Sequence, residues 1–291
     1  MNNLKSFLSI KRNLYISVML CTTLLVIIIL LVIGSRGNNT NSADISKSSS
    51  SSLVSSSTIS SISSTSSSKA VSVWIQSTDG WTNQAMLTNC VKPSFSSPVN
   101  TSLVKSVLYP GQVRGEFKPH GGFIFNTKNN LVDVKAPFDA VLVEGSRYIE
   151  GGETQYLFRF ISDCGIMYAF DHILTPSQKL MDIANTFPEA KVNDSRTTLV
   201  TPQVKFFKDD ILATEVGFKK TKNYSMDFGL YDLNTKNEAS NDPTFVSKYV
   251  KSYLASTALC WLDNLSEPDK TTLKALPGGD SKAKKTSFYC K

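Results

Sequence analysis

Residues 109–145, YPGQVRGEFKPHGGFIFNTKNNLVDVKAPFDAVLVEG, decide how this chain is read. Three short apolar runs stand out: Phe123-Ile124-Phe125, the alternating Val132 and Val134, and residues 140–143. A turn-forming stretch at 126–130 separates the first two, and Ala136-Pro137 separates the second and third. Short alternating runs bounded by turn residues predict antiparallel strands. Into this pattern is set His120, one of two histidines in the chain, within a Lys-Pro-His-Gly-Gly run. Arg114 and Lys118 lie just before it. Gly121 and Gly122 carry no Cβ, so a neighbouring strand can come close to the imidazole.

The same logic extends outward. Residues 155–161 and 165–170 alternate as strands joined by a turn at 162–165, and His172 follows directly. Residues 176–185 predict a short helix capped by Ser177, and 194–201 a loop. Residues 211–216 and 224–233 predict further strands, with a turn at 208–210. Phe245, Val246, Tyr249, Val250, Tyr253 and Leu254 repeat at helical spacing and predict one amphipathic helix. A last hairpin is expected to turn at 277–280 and end at Cys290, while 71–75 reads as an early strand. The fold class expected is mainly β, an antiparallel sandwich or barrel with small helical additions.

The order of motifs resembles the lysostaphin-type zinc endopeptidases, which cut peptide cross-bridges of bacterial walls. It begins with Arg114-Gly115, then His120-Gly121-Gly122, then Val134-Lys135-Ala136-Pro137-Phe138-Asp139-Ala140. The family's first metal motif is H-x-G-x-D; here His120 stands, and Ile124 takes the place of the aspartate. Further on, Phe170-Asp171-His172-Ile173 resembles Y-x-H-L, which makes His172 the counterpart of a catalytic histidine. Residues 207–213 resemble the family segment V-k-k-G-d-x-I-G. Residues 224–229 occupy the place of H-L-H-F-E, so that Ser225 replaces a catalytic histidine and Asp227 a zinc ligand. The likeness spans residues 111–232.

The resemblance implies a lysostaphin-peptidase-like fold with a metal site built on His120 and Asp227, which that fold would bring within about 6 Å of each other. A catalytic zinc takes three protein ligands and keeps one position open for water. Isoleucine cannot ligate, so the site is one ligand short unless His172 is recruited. If the fold holds, Arg114, Lys118, His120, Asp171, His172, Asp227 and Asp232, with Tyr168 and Tyr231, would converge on one groove suited to a polar, extended peptide or glycan. For Arg114 and Lys118 the alternative is ordinary ion pairing with nearby acids. Three readings follow: a non-catalytic binding module for a cell-envelope ligand, a divergent zinc hydrolase using His120, His172 and Asp227, and a purely structural envelope protein. The first expects no cofactor; the second expects zinc.

Composition and patterning bound the rest. The chain has 291 residues, 41% hydrophobic and 19% charged, with a net charge of +7. The lysines are scattered and no aromatic-basic module is evident, so nucleic acid is not an expected partner. Residues 13–35 are uncharged and rich in Leu, Ile and Val, long enough to cross a bilayer as a helix. Lys5, Lys11 and Arg12 precede them, which places residues 1–12 in the cytoplasm and the rest outside. The apolar run is too long for a cleavable signal, and no small-x-small site follows it. Residues 36–69 are Asn- and Ser-rich with little to bury, a stalk in this reading. Residues 70–291 form the extracytoplasmic domain. Its four cysteines, Cys90, Cys164, Cys260 and Cys290, allow three connectivities; the pairing expected is Cys260 with Cys290 and Cys90 with Cys164.

Overall fold

The computed structural model describes residues 74–77, 80–83 and 93–291. The expected membrane helix, the segment before it and the Ser-rich stretch lie outside these residues, as does Cys90. Among the described residues, no helix is long and apolar enough to cross a membrane.

The period-two patterning is realised. In β7 (Leu131–Lys135) burial alternates, with Val132 and Val134 inside. The first hairpin joins β1 (Trp74–Ser77) and β2 (Gly80–Asn83). The second joins β4 (Gln112–Arg114) and β5 (Glu116–Lys118). The main sheet contains β3 (Val104–Leu108), β6 (Gly121–Phe125), β8 (Ala140–Glu150), β9 (Glu153–Ile161), β10 (Ile166–Pro176), β11 (Thr198–Phe206) and β13 (Ser225–Asp232). Its order is β11-β8-β9-β10-β13-β6-β3, and every pairing is antiparallel. The path runs open from β11 to β3, so the closed-barrel form of the expected fold is not adopted. Strand β11 also begins earlier than expected, inside the stretch read as loop.

The sheet branches at one point. The first half of β10 pairs with β13 from Ile166 to Asp171, while its second half, Ile173 to Pro176, pairs with β12 (Ile211–Val216). Strand β12 pairs in turn with β7. The core fills the space this branching creates. Val132, Val134, Leu212 and Ala213 from the branch share one cluster with Phe123, Phe158, Phe160, Phe170 and Phe228 from the main path. The opposite face of the main sheet carries a smaller cluster, Trp74, Trp81, Val141, Ile161, Met167 and Tyr231, at one end only.

Helices are short. The expected one appears as α1 (Gln178–Ala184), with Ser177 at its N-cap position, although the Ser177 side chain makes no cap hydrogen bond. The amphipathic run at 245–254 is two helices rather than one, α2 (Pro243–Tyr249) and α3 (Tyr253–Thr257). The reason is that its apolar residues serve two different places. Phe245 and Tyr249 pack with Phe117 and Phe288, whereas Tyr253 and Leu254 join the smaller cluster. A straight helix could not face both.

The terminal segment does not form the expected hairpin. Residues 277–279 run beside β3 instead, where Val107 N donates to Pro277 O at 3.1 Å and Gly279 N donates to Val107 O at 2.7 Å. Gln112 Nε2 donates to Lys284 O and Thr286 O, at 2.9 and 3.0 Å. The strap closes with the expected Cys260–Cys290 disulfide, whose Cα atoms are 5.0 Å apart. Cys164 is disulfide-bonded as well.

Candidate functional site

His120 sits just before β6, and Asp227 lies opposite Gly122 on the neighbouring β13. A Cβ on Gly122 would fall 2.4 Å from Met226 O and 3.1 Å from Asp227 Cα, so glycine is what lets the two strands meet here. The outcome is direct contact: His120 Nε2 is 3.0 Å from Asp227 Oδ2. The sequence expectation that these two residues lie within about 6 Å is met.

His172 reaches the same oxygen, its Nε2 3.7 Å from Asp227 Oδ2. It does so because the backbone departs from strand geometry. His172 has φ +60°, in the left-handed region that a residue with a side chain rarely adopts. The β9–β10 register shifts between Phe170 and Ile173, which marks a bulge. In a regular strand His172 would point into the core with Tyr168 and Phe170. The bulge turns it to the site face beside Asp171. A left-handed residue other than glycine costs about 1–2 kcal/mol, and Gly carries an entropic cost of about 0.5–1 kcal/mol in return. His172→Gly should therefore melt within about 1 kcal/mol of the parent, as followed by urea denaturation, even though it removes an imidazole from the centre of the site.

Asp171 stands opposite Asp227 across β10 and β13. Its Oδ1 accepts from Tyr148 OH at 2.7 Å and from the His172 backbone N–H at 2.8 Å. The Tyr148 hydroxyl also lies 3.4 Å from His172 Nδ1. Tyr148 is thus a member of the site that the motif pattern did not reveal. Polar residues at alternate positions of β8, Glu144, Ser146 and Tyr148, were the available signal.

The two carboxylates are pushed apart electrostatically. Burial raises Asp171 above the usual range, the charge of Asp227 adds to this, and His172 and the Tyr148 hydrogen bond offset it only in part. For Asp227 burial also acts upward, but the charge and hydrogen bond of His120, then His172 and Arg114, outweigh it and hold the carboxyl well below the usual range. Burial, with Asp171 beside it, raises the Tyr148 phenol, so the hydroxyl stays protonated and donates. A depressed carboxyl stabilises the fold fully above the ordinary carboxylate pKa of about 4, and the contribution fades as pH falls below it. Asp227→Asn should therefore flatten the loss of stability between about pH 4 and pH 2. The difference should be on the order of 1–2 kcal/mol, allowing for the partial exposure of the pair.

The other expected residues divide. Lys118 lines the groove and pairs with Glu116 at 3.5 Å. Arg114 Nη2 donates to His120 O at 3.3 Å. Burial lowers the pKa of this guanidinium, opposed by Asp227 and Asp280. Tyr231 is buried and forms part of the groove wall. Arg114 and His172 touch residues of the groove without lining it themselves, and two further residues lie away from it. Tyr168 is fully buried in the main core, stacked on Phe160. Asp232 lines a separate depression with Asn237 and Tyr289. The groove itself is a cavity of about 230 Å³ running from Lys118 and His120 past Asp171 and Asp227 to Arg159 and Leu254.

Two positions that the resemblance assigns to the site are filled by residues that neither ligate nor act as a base. Ile124, at the place of the missing ligand, pairs with Ser225, at the place of the missing catalytic histidine, across β6 and β13. Gly279 of the terminal strap lies so close to Ile124 that a Cβ there would meet its Cδ1 at 2.7 Å. The position is used for packing. Among the described residues, no group of three or more His, Cys, Asp and Glu side chains is arranged to hold a metal ion.

No protein-family model matches the sequence, and comparison with curated proteins gives no match. Comparison with solved structures gives lysostaphin, determined in solution, at 13% identity and a TM-score of 0.29. The alignment covers 48% of this chain and 47% of that one, so this chain spans about half the length of the protein it matches.

Proposed function

We propose that the chain is an outward-facing membrane protein, anchored by residues 13–35, whose β domain binds a peptide or glycan of the cell envelope without cleaving it. One observation carries this reading: the cross-strand pair Ile124–Ser225. The resemblance to lysostaphin-type peptidases assigns a metal ligand to the first position and a catalytic histidine to the second. Both are lost, while His120, Asp171 and Asp227 remain along the groove, with His172 beside Asp227. What remains offers donors and acceptors to a polar chain.

A second reading, a divergent zinc hydrolase, is favoured by a different observation. Both imidazole Nε2 atoms approach one carboxylate oxygen, at 3.0 and 3.7 Å. Zinc content separates the two. The purified full-length protein, measured by atomic emission after exposure to zinc and gel filtration, should retain far less than the roughly one ion per chain an active hydrolase holds. Insoluble peptidoglycan should sediment the wild-type protein and release no fragments. His120→Ala should weaken that association about tenfold with an unchanged melting curve. Stoichiometric zinc together with release of fragments makes it a hydrolase, and equal sedimentation of the His120→Ala variant removes the groove from the account.

A further inference from the structure

The two carboxylates of the groove keep one open oxygen each. Asp171 and Asp227 stand directly opposite each other on β10 and β13, an arrangement in which like charges repel. Both histidines approach a single oxygen, Asp227 Oδ2, at 3.0 and 3.7 Å. The donors on Asp171 are a phenol and a backbone N–H, both neutral, and both go to Oδ1. Among the described residues no donor reaches Asp171 Oδ2 or Asp227 Oδ1, and neither atom is sealed from solvent. The Asp227 side chain keeps 20% of its surface.

A third acceptor lies on the same face. Tyr231 folds back along β13 over Gly229, where a Cβ would meet its hydroxyl oxygen at 2.4 Å. Gly229 is two residues from Asp227, about 7 Å along the strand. The Tyr231 hydroxyl makes no hydrogen bond with the described residues, is not sealed off, and belongs to a side chain that lines the groove.

The rest of the groove decides which donor fits. Its own cations are spoken for: Arg159 Nη1 lies 2.5 Å from Glu144 Oε1, and Lys118 pairs with Glu116 at 3.5 Å. Ala169, Phe117, Leu157 and Leu254 make the remaining lining largely apolar. The cavity, about 230 Å³, is smaller than the roughly 300–1,000 Å³ of sites that enclose a whole small molecule. It suits one side chain with an apolar stem and a cationic head. A guanidinium carries five donors in a flat fork, whereas an ammonium carries three on a compact head, matching three acceptors offered from two strands.

We propose that the groove receives an aliphatic ammonium of the kind a lysine side chain carries. Asp171 Oδ2, Asp227 Oδ1 and the Tyr231 hydroxyl bind its nitrogen, and its stem lies against Ala169, Leu157 and Leu254. This rests on the reading of the groove as a binding site and adds what that site selects. A free amino terminus presents the same head without the stem.

The test is calorimetric titration of the full-length protein in detergent with three peptides: acetyl-Ala-Lys-Ala-amide, the same peptide with norleucine for lysine, and Ala-Ala-Ala-amide with a free amino terminus. The lysine peptide should bind saturably and at least about tenfold more tightly than the norleucine one, which keeps a stem and lacks the head. Weaker binding of the free-terminus peptide assigns the ammonium to a side chain, and equal binding assigns it to a chain end. Asp171→Asn keeps an acceptor for Tyr148 and removes the charge, and should erase the preference for lysine. Should that variant disturb the fold, Ala169→Leu serves in its place. It fills the path of the stem with both carboxylates intact, and should abolish binding of the lysine peptide. Absence of saturable binding, equal affinity for lysine and norleucine, or a lysine preference that survives both substitutions overturns the proposal. The reading of the groove itself fails separately. Sedimentation with peptidoglycan that depends on His120, without any lysine preference, sinks the ammonium site alone. A lysine preference with sedimentation indifferent to His120 sinks the envelope reading and leaves the ammonium site standing.

Discussion

Arg159→Ala should lower stability by about 3–5 kcal/mol in urea denaturation. Arg159 on β9 pairs with Glu144 on β8, residue opposite residue, and Arg159 Nη1 lies 2.5 Å from Glu144 Oε1. Glu144 is 1% exposed. Its other oxygen accepts from Thr197 Oγ1 at 2.9 Å and from Gln76 Nε2 at 3.2 Å. Burial lowers the pKa of the Arg159 guanidinium, but the adjacent carboxylate outweighs this and holds it above its ordinary value. Removing the cation leaves an ionised carboxylate in a dry site with two neutral donors. Replacing both residues, Glu144→Leu with Arg159→Leu, should recover most of the loss, because the cost lies in the orphaned charge rather than in the missing attraction. A single-variant loss under about 1 kcal/mol would show that water reaches the pair.

Replacing Cys260 and Cys290 by serine should cost about 2–4 kcal/mol, read from the same denaturation experiment. The bond closes a loop of 30 residues and ties down a terminal segment with little core of its own. Asp280, Lys284 and Lys285 in that segment are exposed or half-buried. The loss should fall mainly on the unfolding of the strap. Phe288 and Tyr289 would leave the aromatic cluster around Phe117, and near-ultraviolet dichroism should weaken before the sheet signal does. Concerted loss of both signals at the parental midpoint would mean that the disulfide adds nothing to the strap.

Much of this architecture was legible from alternation alone. Strands β7, β9, β12 and β13 stand within a few residues of where the apolar periodicity put them, and His120 meets Asp227 because the motif order fixed which strands carry them. Parity explains the two residues that were misplaced. On β13 the site face takes Asp227, Gly229 and Tyr231, so Asp232 must point the other way. On β10 it takes Ala169 and Asp171, so Tyr168 must be core. Counting by twos from Asp227 and Asp171 would have excluded both. The same count would also have excluded His172, and there it would have failed, because a bulge at a φ of +60° reverses the parity at that residue. No residue in Phe170-Asp171-His172-Ile173 is a glycine that announces such a turn. The division of residues 245–254 into two helices was hidden for a related reason. Helical spacing shows that an apolar face exists, and it does not show that two partners divide it.

The strap along β3 has one more consequence. A terminal strand of a sheet presents a row of free N–H and C=O groups on which another chain can build. In β3 the Val107 groups that would serve as that template are already taken by Pro277 and Gly279 of the same chain. The covalent bond at Cys290 keeps this cover from peeling away, so it protects the molecule from recruiting its own copies. The domain thus carries its own guard against strand-by-strand self-association at this edge, and reduction of the disulfide should loosen that guard before it unfolds the sheet.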